Sequence, residues 1–356
     1  MSITIKDGIK RMRSQNYNYN FRYSDGFFAR WGRTLDKDPN FSPYGPEIAD
    51  IEISTICHGI NNKPCKHCYK SNTGIGENMS FETFKIIFDK LPLTLTQIAF
   101  GIGDIDGNPD MWKMFDYCRN NERNPVVPNL TINGWGLTDD LAKRFASVCG
   151  AVAVSRYEPK DVCYDAVKKL TDAGMTQVNI HMLVAEETYD ACMELVRDTK
   201  TDPRLEKLNA VVFLTLKQKG RGKGYSVIPF NKYKKLIKKC ENLKVRYGMD
   251  SCSAAKFLEC VKDSPRYKQF ETVAEPCESS LFSLYCNEKG EFFPCSFTEN
   301  SKFDECDWTE GLSLVECENF LKDIWYHPKT KKFRKKLIAS AKSNALKCRE
   351  CPAYKI

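Results

Sequence analysis

From residue 50 to about residue 230 the chain alternates between two hydrophobic rhythms. Short apolar, β-branched runs at 50–56 (DIEISTI), 97–101 (QIAFG), 127–133 (VPNLTIN), 151–156 (AVAVSR), 176–183 (TQVNIHML) and 210–216 (AVVFLTL) predict strands. Between them, apolar residues recur every three or four positions, which predicts helices in SFETFKIIFDKL, MWKMFDYCRN, TDDLAKRFASV, KDVCYDAVKKLTDAG and EETYDACMELVRD. Ser80 and Thr138 are the expected N-caps of two of these helices, and Gly174 ends another. Strand-then-helix repeats predict a parallel sheet with its helices outside, a (β/α) barrel or part of one. In such folds the chemistry sits at the C-terminal ends of the strands.

The flanks follow other patterns. Residues 1–48 contain an expected hairpin, YNFRYSDGFFARWG, turning at Asp25-Gly26; they are short for an independent module and flank the main domain. After residue 230 one helix (PFNKYKKLIKKC) and one strand (LKVRYG) precede a cysteine-rich region, 265–356, with few regular elements. It reads as a separate, metal-stapled unit. A hydrophobic content of 42% and a charged content of 28% suit a soluble globular protein, and no run reaches the length of a membrane span. The start, MSITIKDGIKRMRS, lacks the apolar core of a signal peptide. Seventeen cysteines without an export signal favour metal ligation over disulfides, in a reducing cytoplasm. The net charge of +8 is spread out; KKFRKK at 331–336 reads as a solvated helix face. The mild basic balance, with no recognition module, argues against a nucleic-acid partner.

Cys57, Cys65 and Cys68, spaced C-x7-C-x2-C, follow the first strand. Three thiolates on one loop can hold three irons of a [4Fe–4S] cluster and leave the fourth open to a ligand. A zinc site that borrows a distant fourth ligand fits the spacing equally well. No Ser-His-Asp set and no paired-carboxylate hydrolase arrangement is evident.

The loop and the pattern behind it resemble the radical S-adenosylmethionine (SAM) superfamily. The second half of that family's C-x3-C-x-aromatic-C motif matches Cys65-Lys66-His67-Cys68, with His67 in the aromatic place; the first spacing is seven residues instead of three. In GIGDIDGNP, Gly103 and Asp104 match the Gly-Glu of the segment that receives the amino group of SAM, whereas Ile102 and Ile105 do not match. TINGWGL resembles the Thr-Asn-Gly segment through Asn133 and Gly134, and Ser155 stands where a serine contacts SAM. In the tail, Cys277-x12-Gly290-x4-Cys295 followed by Cys348-x2-Cys351 resembles the SPASM/twitch subgroup, with NEKGEFFPCSF as a hairpin presenting a cysteine. With fewer cysteines than a full SPASM region, the tail is expected to be twitch-like, holding one auxiliary [4Fe–4S] cluster on Cys277, Cys295, Cys348 and Cys351; Cys286 competes with Cys277.

The resemblance implies an α/β fold, a partial (β/α)6 TIM-like barrel at 49–264 followed by a cysteine-rich twitch-like domain at 265–356. It implies an oxidoreductase whose cluster, reduced by an external donor such as flavodoxin or ferredoxin, cleaves SAM to a 5′-deoxyadenosyl radical that abstracts hydrogen from substrate. A peptide substrate, oxidised or cross-linked with help from the auxiliary cluster, ranks first; dehydrogenation of a small molecule such as a sugar derivative is the alternative. From another class, a zinc-stapled nucleic-acid-binding protein is the rival. Cys252 and Tyr157 are candidate catalytic residues, Cys252 as a radical-handling thiol or proton donor. His181 and Glu158 stand at strand ends where substrate would sit. The KGRGKG segment is expected to close the cavity as a flexible basic loop, with Arg221 reaching a carboxylate. Cys118, Cys149, Cys163, Cys192 and Cys240 read as buried small hydrophobes.

Overall fold

The computed structural model describes residues 1–340 and 349–354. An antiparallel meander of β1 (Ser2–Lys6), β2 (Ile9–Arg13), β3 (Asn18–Arg22) and β4 (Phe28–Trp31) comes first. The expected hairpin is its β3–β4 half. The β1–β2 half turns at Asp7-Gly8, where both residues take positive φ, the Asp-Gly hairpin signal that the sequence reading passed over. This sheet docks beneath the barrel. Buried Lys10 donates to the Leu95 carbonyl at 2.6 Å, Tyr19 Oη to Thr94 O at 2.8 Å and Tyr23 Oη to Pro125 O at 2.9 Å. All three acceptors precede barrel strands, so the sheet closes the end opposite the strands' C-termini.

The barrel elements run in strict alternation: β5 (Ile48–Glu52), α1 (Phe81–Lys90), β6 (Gln97–Gly101), α2 (Met111–Arg119), β7 (Val127–Ile132), α3 (Asp139–Val148), β8 (Val152–Ser155), α4 (Lys160–Asp172), β9 (Val178–Val184), α5 (Tyr189–Thr201) and β10 (Ala210–Thr215). Neighbouring strands pair in parallel and in sequence order, which makes a singly wound, open barrel. Helix α6 (Phe230–Asn242) then leads to β11 (Tyr247–Met249), a further parallel strand beside β10. Ser80 Oγ and Thr138 Oγ1 cap α1 and α3 by accepting from Thr83 N and Leu141 N. Helix α5 starts three residues later than expected. Glu187 accepts the backbone N–H of Ser226 instead, and Thr188 Oγ1 bonds Leu183 O, so these residues form a turn.

Beyond α7 (Ala254–Cys260) and α8 (Tyr267–Val273), β12 (Ser283–Cys286) returns to pair in parallel with β5. Strands β13 (Glu291–Phe293) and β16 (Leu312–Ser313) extend the same sheet, making ten strands, while β14 (Ser301–Phe303) and β15 (Cys306–Trp308) form a small hairpin; α9 (Pro328–Ala339) follows. The cysteine-rich tail is therefore built onto the barrel sheet and not set apart from it. The reason is elementary: β5 would otherwise leave an unpaired edge beside its cysteine-bearing loop. Among the described residues, no helix is long and apolar enough to cross a membrane.

Strand register separates two faces. Ile51, Phe100, Leu130, Val152, Val154, Ile180 and Val211 are buried against the helices. Their neighbours, on the concave face, are polar or small: Asp50 and Glu52 on β5 lie beside Ala99 and Gly101, then Asn129 and Thr131, Ala153 and Asn179, with Ser155 beside His181. The barrel thus has an apolar jacket and a polar lumen.

Leu284 of β12 is 1% exposed in the shared core. Leu284→Ala is expected to cost about 2–5 kcal/mol, read as a lower urea midpoint, with barrel and tail unfolding in one transition.

Candidate active site

The cysteine loop leaves β5 because its hydrogen bonding changes hands. The Ile53 carbonyl is taken by Met79 N (3.0 Å) and the buried Asn108 side chain (2.6 Å), so β5 ends earlier than the predicted 50–56 run. Cys57, Cys65 and Cys68 follow on irregular chain, half-buried and free of disulfides. Two neighbouring loops hold them. From below, Gly103 packs so closely that a Cβ there would lie 2.0 Å from Ile56 O and 2.6 Å from Cys57 Cβ; only glycine fits. From above, Arg221 donates from Nε to Cys65 O (2.8 Å), from Nη2 to Asn72 O (3.0 Å) and from its backbone N–H to Cys68 O (3.0 Å). Arg221 therefore meets backbone carbonyls where a carboxylate was expected, and KGRGKG clamps the cysteine loop. Burial raises the thiol pKa of Cys57 and of Cys65, so metal binding there would displace protons.

The other expected site residues gather at the same mouth. Asp104 accepts from His58 N at 3.0 and 3.1 Å and meets His58 Nδ1 at 2.6 Å; its carboxylate braces the loop beside Cys57. The His67 ring lies edge-on between Tyr157 (centroids 5.1 Å) and Tyr225 (5.3 Å). Among the described residues its buried Nε2 has no hydrogen-bond partner, and burial, with Arg221 nearby, lowers its pKa to about 4, so the ring is neutral. Tyr157 faces the Cys65 thiol and Ser155, so this candidate lies against the cysteine loop. Asn133 Oδ1 accepts Trp135 N at 2.9 Å and shapes the turn after β7. Ser155 and His181 sit side by side on the lumen face, His181 Nδ1 3.4 Å from Thr131 Oγ1.

The tail cysteines form a second group. Cys277, Cys295 and Cys351 lie near one another, and Cys252 lies near Cys277 and Cys295, so this candidate stands with the tail set. Cys348 lies outside the described residues. Cys286 pairs with Ile51, on the jacket side of the sheet; it is fully buried and its thiol meets Asn287 O at 3.3 Å.

Sequence reasoning missed what joins the groups. Lys70, two residues past Cys68, pairs with Glu52 (2.7 Å) and Glu299, and donates to Tyr285 Oη at 2.9 Å; Tyr285 Oη in turn bonds Glu52 at 2.6 Å. Glu288 brings a third carboxylate within 4.8 Å, and Asn287 Nδ2 donates to Glu299 at 3.2 Å. Tyr69 stacks on Phe297 with centroids 4.4 Å apart. The available signal was the pair of acids, Asp50 and Glu52, inside a strand that otherwise reads as buried. Asp50 faces the lumen between Ala99 and Tyr285, exposed to the open cavity.

No family model matches the chain, and no curated protein matches it. Solved structures do. Streptococcus suis SuiB bound to the precursor peptide SuiA superposes with a TM-score of 0.69 at 12% identity, over 98% of this chain and 94% of that one. SuiB bound to S-adenosylmethionine gives 0.62 at 13%, over 86% and 72%, and native anSMEcpe with bound AdoMet and Cp18Cys peptide gives 0.56 at 15%, over 85% and 88%. These likenesses establish the architecture. The chain has the radical SAM fold, a partial barrel with a cysteine-rich C-terminal region.

Two tests follow. Lys70→Met leaves Glu52 and Glu299 buried against each other, with side chains 8% and 7% exposed. A loss of about 3–5 kcal/mol is expected, largely regained when both acids become Gln, as read from denaturant midpoints. Burial lowers the His181 pKa to about 4, against 6.5 for an exposed imidazole. The unfolded chain binds that proton first, so stability present above pH 6.5 falls as pH drops toward 4. His181→Asn is expected to flatten that fall.

Proposed function

We propose that this chain is a radical SAM enzyme that acts on a peptide substrate. The observation that carries the reading is the trio Cys57, Cys65 and Cys68, set at the mouth of a barrel whose fold is shared with proteins solved with S-adenosylmethionine bound. The sulfurs are spread more widely than a zinc site needs. Four sulfurs at about 2.3 Å around one zinc lie only about 3.8 Å apart. Among the described residues, no three cysteine sulfurs come within 4.8 Å of one another.

Cys57, Cys65 and Cys68 would hold a [4Fe–4S] cluster, and Cys277, Cys295, Cys348 and Cys351 an auxiliary one. With that cluster reduced by a donor such as flavodoxin or ferredoxin, SAM would supply a 5′-deoxyadenosyl radical to take hydrogen from substrate. The chain's own residues prepare for this. Gly103 and Arg221 hold the thiolates in place. The neutral His67 ring, between Tyr157 and Tyr225, offers an aromatic wall to the cofactor. Asn133 and Ser155 present polar groups from adjacent strand ends. The lumen, lined by Asp50, Asn179 and His181, receives the substrate. A peptide is favoured because SuiB was solved with a precursor peptide and anSMEcpe with a peptide, each matched along most of its length.

The test is anaerobic reconstitution. Wild-type chain is expected to bind about eight irons with matching sulfide and to form 5′-deoxyadenosine from SAM under reduction. Cys65→Ala is expected to abolish 5′-deoxyadenosine, and Cys295→Ala to bring iron down to about four per chain. A colourless protein with stoichiometric zinc would overturn the reading.

A further inference from the structure

Of the two acids that β5 turns into the lumen, one is neutralised and the other is not. Glu52 is 6% exposed, paired with Lys70 at 2.7 Å and bonded by the Tyr285 hydroxyl at 2.6 Å. Asp50 lies one pleat deeper and opens into the cavity. Among the described residues it has neither a hydrogen bond nor an ion pair. Ala49 and Ile51 on either side are fully buried in the jacket, so the pleat keeps the Asp50 side chain on the lumen face.

Nothing around it supplies a countercharge. The strands that continue the wall from β6 to β9 present Ala99, Asn129, Thr131, Ser155, Asn179 and a neutral His181. Asn129 Nδ2 donates to Gln97 at 2.9 Å and Asn179 Oδ1 accepts from Asn209 at 2.9 Å, so both amides are engaged elsewhere. At the mouth, Lys70 is committed to Glu52 and Glu299, and Lys217 to Asp250. The charge that acts on Asp50 has its own sign: it is Glu278, which shares Arg30 with Glu47 and Glu275.

A concave site lined by one sign of charge, with low-dielectric walls, focuses its field on whatever enters. A carboxylate placed there favours an organic cation over a neutral group, because a charge-assisted hydrogen bond is the stronger one. Depth narrows the choice. Asp50 is two residues from the end of β5, about 7 Å down the wall. A cation that reaches it from the mouth must ride on a long, slim arm, as in lysine and arginine.

We propose that Asp50 binds a cationic side chain of the substrate, so that the peptide residue drawn into the lumen is a lysine or an arginine. This selectivity rests on the peptide reading above. Holding the charged tip at Asp50 leaves the methylene stem between that carboxylate and the mouth where Cys57, Cys65 and Cys68 stand.

The experiment is calorimetric titration of the anaerobically reconstituted full chain, with SAM present, against capped glycine pentapeptides whose central residue is lysine, arginine or norleucine. Wild type is expected to bind the lysine or the arginine peptide about tenfold or more tightly than the norleucine one. The tighter of the two names the residue. Asp50→Asn is expected to bring all three peptides to the norleucine level, and Asp50→Glu to keep part of the preference. Equal binding of the three by wild type, no binding of either cationic peptide, or a preference that survives in Asp50→Asn would overturn the proposal. Weaker SAM binding by Asp50→Asn with that preference intact would assign the carboxylate to the sulfonium of SAM instead. Should Asp50→Asn fail to fold, Asp50→Ser takes its place, and if neither folds the wild-type contrast decides alone. 5′-Deoxyadenosine formed from SAM by the wild-type preparation is measured alongside. Its absence overturns the enzyme reading, whereas its presence without a cation preference overturns only the role of Asp50.

Discussion

The ammonium of Lys70 sits where three lengths of chain meet: the end of β5, the segment leaving the cysteine loop and the turn that follows β13. Glu52 and Glu299 hold it from opposite sides and Tyr285 completes the shell. In a buried setting neither the cation nor the carboxylates can stand alone, because the desolvation of each must be offset by the others. The loop bearing Cys68 and the turn bearing Cys295 are thereby obliged to keep one relative placement. Tyr69 against Phe297 fills the space between them.

That constraint depends on the sheet. β12 lies on β5 in parallel register, which sets Tyr285 beside Asp50 on the lumen face and Cys286 beside Ile51 on the jacket face. A slip of one residue would exchange these faces, burying a phenol in the apolar jacket and turning a cysteine into the lumen. The tail is thus part of the barrel wall. The two groups of cysteines share one rigid support, as an electron exchange over a fixed distance would need.

The lysines at the end of β10 serve the same end by other means. Arg221 and Lys219 satisfy backbone carbonyls of the two cysteine-bearing loops, while Lys217 pairs with Asp250 at the end of β10. Loops carry little hydrophobic surface of their own, so long side chains reaching from a strand end supply the order that packing cannot. The chain's basic residues here are internal braces rather than a surface for an anionic partner.

Much of this was legible in the order of residues. Period-two and period-3.6 hydrophobicity located each barrel strand and helix within a few positions, because an apolar jacket imposes those rhythms on whatever chain forms it. The spacing of Cys57, Cys65 and Cys68 after a strand marked the mouth, since strand polarity alone sets which end a following loop occupies. The tertiary structure decided the rest. Lys70, Glu52 and Glu299 lie far apart along the chain, and no local pattern announces that their charges will meet. The attachment of β12 to β5 and the meeting of Arg221 with Cys65 are likewise contacts between distant segments. The face taken by Cys286 depends on register, a property of two strands together that neither strand's sequence carries alone.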